Sequence, residues 1–303
     1  MKYLVIGAGG VGGSLAANLS EAGHDVTAIA RGAHLQAMLA HGLHMHTTGR
    51  GAYTVPVKVA AEADYQERPD VIFVCVKDYS LMQTVPLIHR VAGPRTIVIP
   101  LLNIYGTGAR LQELLPRLLV TDGCIYIAAQ IKAPGLILQS GHIFRIVFGL
   151  RQPEQFRPDL NEIAADLRAS KIEVLLSQRI KVDTFNKYVY VSPLAACEVD
   201  RGANAGSIRQ PGPDQDEWRA LTKEIIALGQ AMGLELPEDL AETNFQILRQ
   251  LSPNANTSLT RDYLAGRPNE IDGQIFQVVR LGRKYGVALP GYERIAAQLG
   301  FNE

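Results

Sequence analysis

A cluster of glycines at the start of the chain limits its fold more than any other feature. Gly7-Ala8-Gly9-Gly10-Val11-Gly12 has GxGxxG spacing. It lies between an apolar run, residues 2–6, and an amphipathic stretch, residues 11–22, that is closed by Gly23. This order reads as strand, tight turn and helix. In such a unit the first glycine allows a sharp turn, the second lets backbone approach a pyrophosphate, and the third lets the helix pack on the strand. The helix start adds N–H groups without intrahelical partners and the positive end of the helix dipole. The expected ligand is a dinucleotide, held by Gly7, Gly9, Gly10, Val11 and Gly12.

The rest of the N-terminal half repeats the alternation. Residues 25–30, 71–76 and 96–100 read as strands, and 34–40 and 81–91 as helical. Strands alternating with helices imply a doubly wound parallel sheet. Later, 124–131, 136–148 and 172–176 read as strands, with 160–170 a helix. From residue 180 the pattern is helical. Trp218, Leu221, Ile225 and Leu228 define one apolar stripe, Leu240, Thr243, Ile247 and Leu251 a second, and Ile271, Ile275, Val278 and Gly282 a third. Residues 202–213 read as a loop. The expectation is α/β: a doubly wound sheet domain over 1–170, followed by an all-helical domain over 171–303.

Composition removes several classes of function. Thirty Lys and Arg balance thirty Asp and Glu over 303 residues, so the excess positive charge that a general nucleic-acid binder needs is absent. No apolar run approaches the ~20 residues of a membrane span. Cys75, Cys124 and Cys197 are far apart and odd in number, which suits a reducing cytoplasm better than a disulfide scaffold. His41, His44 and His46 form H-x-x-H-x-H, but no carboxylate or cysteine joins them. That spacing suits neither one helix face nor one strand face, so no metal is expected.

Three residues near the ends of the first-half strands bear on the ligand. The second strand ends in Arg31, where NAD enzymes place an acid, and Asp25 lies at the opposite end of that strand. A guanidinium can clasp a 2′-phosphate that a carboxylate would repel. NADP(H) is therefore expected, with Arg31 on its phosphate. Lys77 and Asn103 follow the strands at 71–76 and 96–100. Ligands of doubly wound sheets bind beyond the carboxyl ends of the strands, so both residues are expected to face the cofactor.

Taken together, the motifs resemble those of the ketopantoate reductase (2-dehydropantoate 2-reductase) family. The resemblance spans nearly the whole chain. It runs from the glycine loop to Cys75-Val76-Lys77, then Leu102-Asn103-Ile104-Tyr105-Gly106, then Phe185-Asn186-Lys187-Tyr188. It continues through Thr257-Ser258-Leu259 and Asp262 to Gly266-Arg267-Pro268-Asn269-Glu270-Ile271-Asp272, with Ser258 and Glu270 twelve positions apart. The resemblance implies a Rossmann-type N-terminal domain and a helical C-terminal one. It also implies NADPH-dependent reduction of 2-dehydropantoate to pantoate, a cytoplasmic step toward pantothenate and coenzyme A. By position, Lys187 would be the catalytic lysine and Glu270 its acidic partner. Ser258 would bind the substrate carboxylate, Asn103 both cofactor and substrate, and Lys77 would line the cofactor side. Where the best-known members carry asparagines one and two turns past the lysine, this chain has Val191 and Ala195. Phe185 replaces a tryptophan and Leu102 a glutamine. A more apolar pocket and a different 2-keto acid are thus an alternative.

Elementary chemistry supports the same roles. Hydride arriving at a ketone carbon drives negative charge onto the oxygen, which needs a proton or a strong hydrogen bond. None of the seven histidines lies in a matching segment, so Lys187 is the candidate donor. Glu270 could orient it, and the Ser258 hydroxyl could accept a carboxylate as a ligand. A helix cap at Ser258 or a first-turn acid at Glu270 would be the purely structural alternatives. The other readings are a non-catalytic NADP-binding sensor and a Rossmann dehydrogenase for other alcohols. The expected partner is a small 2-keto acid, with neither nucleic acid nor membrane; a homodimer is a further expectation.

Overall fold

A computed structural model describes residues 1–302. Its contacts divide the chain into two compact units: Met1–Leu102 with Gly106–Ile180, and Asn103–Tyr105 with Lys181–Glu303. The sequence boundary at 170 falls short of this division because the last strand of the first unit lies beyond it.

The first unit begins with β1 (Lys2–Ile6), α1 (Gly10–Glu21), β2 (Asp25–Ile29) and α2 (Gly32–His41). Next come three short strands, β3 (Leu43–Thr47), β4 (Gly51–Val55) and β5 (Lys58–Ala60), followed by β6 (Val71–Val74). After two 3-10 turns come α3 (Val85–Val91), β7 (Ile97–Pro100), α4 (Thr107–Leu114) and β8 (Leu119–Val120). The unit closes with β9 (Asp122–Ala133), β10 (Leu136–Gly149), α5 (Asp159–Ala169) and β11 (Glu173–Ser177). Six strands form a sheet in the order β5-β2-β1-β6-β7-β8, and every pair in it is parallel. β6 and β7 are buried along their whole length, as strands covered on both faces must be. The chain runs from β1 to β2 on one side and returns to β6 on the other. The strand order therefore reverses at β1, and the loops after β1 and β6 flank the crevice where such sheets take ligands.

The α/β expectation holds, but a second sheet was not legible. β11, β10, β3 and β4 pair in that order, with β9 antiparallel to β10. Its strands come from distant parts of the chain, so nothing local separates them from the first sheet. His44 and His46 lie on the exposed face of β3, while Leu43 and Met45 face inward. Among the described residues, no group of three or more His, Cys, Asp or Glu could hold a metal ion.

Local differences have physical causes. The strand read at 71–76 ends at Val74, and 81–91 starts as 3-10 turns before α3. In the second unit the elements are α6 (Ile180–Arg201), α7 (Ala205–Ile208), α8 (Pro213–Ala231) and α9 (Leu240–Gln250). They are followed by α10 (Ser258–Leu264), a π-turn (Asp272–Phe276), α11 (Gln277–Tyr285) and α12 (Pro290–Gln298). The stretch 202–213, read as a loop, contains the short α7, closed by a capping box between Asn204 and Ser207. The α8 stripe of Trp218, Leu221, Ile225 and Leu228 is buried as the spacing implies. On α9 the buried stripe is instead Leu240, Asn244, Phe245 and Leu248, and Ile247 is exposed. Phe245 packs on Trp218 with ring centroids 5.6 Å apart, and that contact turns the helix away from the face marked by Ile247. No helix of the described residues is long and apolar enough to cross a membrane.

Candidate active site

The glycine loop answers to two different neighbours. Gly7 has φ +99°, a left-handed value that glycine adopts without strain. A Cβ at Gly7 would meet the Cys75 carbonyl oxygen at 3.0 Å, so the loops after β1 and β6 touch. Gly12 packs α1 onto β1: a Cβ there would lie 2.1 Å from the Gly7 carbonyl oxygen. Gly10 is needed for another reason. A Cβ there would lie 2.4 Å from the Ala129 carbonyl oxygen of β9, so the second sheet presses on the start of α1. At Gly9, the residue preceding α1, the same direction is open, with nothing within 4 Å. Val11 lies in the first turn of α1 and is partly buried against the core. Close contact at Gly7, Gly10 and Gly12 and open space at Gly9 fit a loop that receives a dinucleotide on its Gly9 side.

Arg31 is exposed and stands at the start of α2, with extended backbone at φ −146°. Among the described residues it forms no ion pair. Asp25 is engaged at the other end of β2, where Lys58 donates to it at 2.6 Å. Lys77 precedes the 3-10 turn Asp78–Ser80 and is partly buried. The buried Asp78 beside it pairs with Arg110 of α4 at 2.8 Å, tying the loop after β6 to that helix. This clip left no mark in the sequence, since its partners are 32 positions apart.

Asn103, Lys187, Ser258 and Glu270 all belong to the second unit. Lys187 on α6 is only 6% exposed, and its Nζ donates to Asn103 Oδ1 at 2.6 Å. A buried ammonium needs such a partner to offset its lost hydration. Tyr105 supports the same segment by packing edge-on to Phe185 and stacking on Tyr188, at 5.0 and 6.2 Å between centroids. Of the two positions past Lys187, Val191 is partly buried and Ala195 completely buried.

Glu270 is 3% exposed, so it is not a solvated first-turn acid. Its carbonyl accepts from the Gln274 amide at 2.9 Å as the chain enters the π-turn. A π-turn leaves carbonyls without ordinary helical partners, and such turns are frequent at functional sites. Two hydroxyls of α6 serve them here: Tyr188 donates to the Gly273 carbonyl at 2.7 Å, and Ser192 to the Gln274 carbonyl at 2.6 Å. The helix that carries Lys187 is thus fastened to the turn that follows Glu270. The Tyr292 hydroxyl, 2.8 Å away, completes the set by donating to Ser192 Oγ. Ser192→Ala would leave a buried carbonyl and a buried tyrosine hydroxyl unsatisfied. We expect it to lower unfolding stability by about 1–3 kcal/mol in a denaturant titration; no change would mean the fastening is dispensable.

Ser258 is the first residue of α10, and the cap is its neighbour: Thr257 Oγ1 accepts from the Thr260 amide. The Ser258 side chain is therefore not consumed in capping. Glu198 of α6, which carried no recognisable motif, organises this corner. Its Oε2 accepts from the Thr257 amide, the Thr257 hydroxyl and the Thr260 hydroxyl at 2.9, 2.8 and 2.6 Å. Burial raises its pKa, and these bonds oppose the shift.

Two sequence models of the ketopantoate reductase PanE/ApbA family match, the N-terminal one over residues 3–153 and the C-terminal one over 179–303. The chain belongs to that family. Its members here include the 2-dehydropantoate 2-reductase of Mesorhizobium japonicum, 27% identical over 98% of this chain and 96% of that one. The uncharacterized oxidoreductase YkpB of Bacillus subtilis is also 27% identical, over 100% and 99%. The crystal structure of 2-dehydropantoate 2-reductase from Methylococcus capsulatus superposes with a TM-score of 0.87 at 25% identity, covering 99% of this chain and 96% of that one. The same fold occurs in a D-mandelate dehydrogenase solved with NADH and anilino(oxo)acetate, at TM-score 0.88 and 18% identity over 98% and 96%. As a family member the chain is an oxidoreductase.

Proposed function

We propose that the protein reduces a 2-keto acid to a 2-hydroxy acid with NADPH, most closely 2-dehydropantoate to pantoate, with Lys187 as the proton donor. One observation carries the proposal: a lysine almost wholly buried, with its ammonium held at 2.6 Å by Asn103. A surface lysine would have no need of such a setting. The glycine loop, open at Gly9, would hold the pyrophosphate, and Arg31 would clasp the 2′-phosphate. Lys77 and Asn103 would complete the cofactor side.

The cofactor, when bound, supplies hydride. The chain supplies everything else. Lys187 polarises the ketone oxygen and gives it a proton as negative charge develops, leaving a neutral amine that solvent reprotonates. Asn103 Oδ1, acting only as an acceptor, keeps the ammonium oriented. Ser258 would hold the substrate carboxylate, and Glu270 would steady the ammonium or accept from a substrate hydroxyl. Per turnover one keto acid, one NADPH and one proton give one hydroxy acid and NADP⁺. The same setting in the cytoplasm would serve pantothenate formation.

The test is a panel of 2-keto acids assayed with NADPH and NADH. Loss of nicotinamide absorbance with 2-dehydropantoate is the expected result. Turnover with another 2-keto acid alone would keep the chemistry and replace the substrate, as Val191 and Ala195 would allow. Tight NADPH binding without turnover of any keto acid would overturn the proposal.

A further inference from the structure

His34 lies in the first turn of α2, three positions after Arg31, and its half-buried ring uses both nitrogens within the first unit. The Gly135 amide donates to Nδ1 at 2.9 Å, and Nε2 lies 2.9 Å from the Ala8 carbonyl oxygen. A backbone N–H can only donate, so Nδ1 must bear the lone pair and Nε2 the hydrogen. Only the neutral ring, in this tautomer, makes both bonds. A second proton would set Nδ1–H against the Gly135 N–H. Ala8 is the residue between the first two glycines of the loop. Gly135 sits in the turn between β9 and β10, and its carbonyl accepts from the His44 amide at 2.8 Å. One imidazole therefore ties the glycine loop, the start of α2 and the second sheet together.

We propose that His34 is a positioning residue for the dinucleotide loop: its neutral ring ties Ala8 and the Arg31 turn to the Gly135 turn in the binding arrangement, and protonation breaks that tie at Gly135. The inference rests on the proposal that this loop holds the nicotinamide dinucleotide. α2 carries Arg31 at its start and His41 at its end, and the strands packed on it or leading into the Gly135 turn carry His44 and His46 (β3), Lys58 (β5), Asp122, Tyr126 and Lys132 (β9), and His142 and Arg145 (β10). None adds to the shift in His34. Burial lowers its pKa, and the Ala8 bond partly opposes this. The sign follows. The Gly135 bond is fully present above about 6.5, the ordinary histidine value, and is lost as pH falls through the lower folded-state value, while the Nε2–H bond to Ala8 survives protonation. If the cofactor binds only the neutral form, its affinity falls by up to about tenfold per pH unit below that point.

The experiment measures the dissociation constants of NADH and NADPH from pH 8 to pH 5 for the wild type and His34→Gln. NADH is included because the 2′-phosphate of NADPH itself titrates near pH 6. Glutamine can still donate to Ala8 but does not titrate. At pH 8 the variant should bind about threefold to tenfold more weakly, for the lost Gly135 bond. Its NADH affinity should stay level where that of the wild type falls. The same downward slope in both proteins would overturn the proposal for His34 alone. Failure of the wild type to bind either cofactor at any pH would overturn the dinucleotide reading with it. Should His34→Gln not fold, NMR titration of the histidine rings in the wild-type protein serves instead. One ring pKa should drop on adding NADH, and no change in any ring would refute the idea.

Discussion

Replacing Lys187 with alanine is expected to lower kcat for keto-acid reduction by about 10²–10⁴, the usual worth of a positioned acid–base group. Binding of NADPH should change little, because the glycine loop and Arg31 belong to the first unit. Circular dichroism and a cofactor titration establish that the variant is folded and loaded before the rate is read. Lys187→Arg sharpens the test. It keeps a positive charge but cannot release a proton near neutral pH. If Lys187 acts by proton donation, the arginine variant should be nearly as slow as the alanine variant. If a nearby positive charge is sufficient, arginine should restore most of the rate. Truncation also leaves the half-buried Asn103 Oδ1 without its 2.6 Å donor, so some loss of stability should accompany the loss of rate.

Arg31→Asp is expected to weaken NADPH binding by about 10²-fold or more while NADH binding stays within about threefold. The change removes charge-assisted hydrogen bonds and puts a carboxylate beside a phosphate. Arg31 is exposed and forms no ion pair among the described residues, so the substitution breaks nothing within the protein. A drop in affinity confined to NADPH would therefore report the 2′-phosphate directly. Equal losses for both cofactors would assign Arg31 a structural part in the turn instead.

Much of this was legible because short-range rules govern it. The order strand, glycine turn, helix placed α1 within a residue at each end, since local steric and periodic constraints decide it. The stripe on α8 is likewise a local pattern. What escaped the sequence was long-range. Gly10 is required by Ala129, a β9 residue whose approach no nearby residue announces. His34 matches no catalytic segment, and its meaning lies in two backbone partners, one of them in the turn at Gly135. Glu198 looked like any helix acid, yet three donors converge on one of its oxygens. Ser192 belongs to no motif, yet its hydroxyl serves a carbonyl of the π-turn after Glu270. The resemblance identified Lys187, but only the structure revealed that it is buried and which side chain receives its hydrogen bond.

The central claim is that nicotinamide hydride and a lysine proton meet on one ketone carbon–oxygen pair. Reduction of 2-dehydropantoate with NADPH deuterated at the transferable position of the nicotinamide tests it most directly, with the product examined by mass spectrometry and NMR. One deuterium at carbon 2 of the hydroxy acid, formed at a rate that collapses in Lys187→Ala, is the expected result. A product without deuterium at that carbon, or an undiminished rate in the variant, would contradict it.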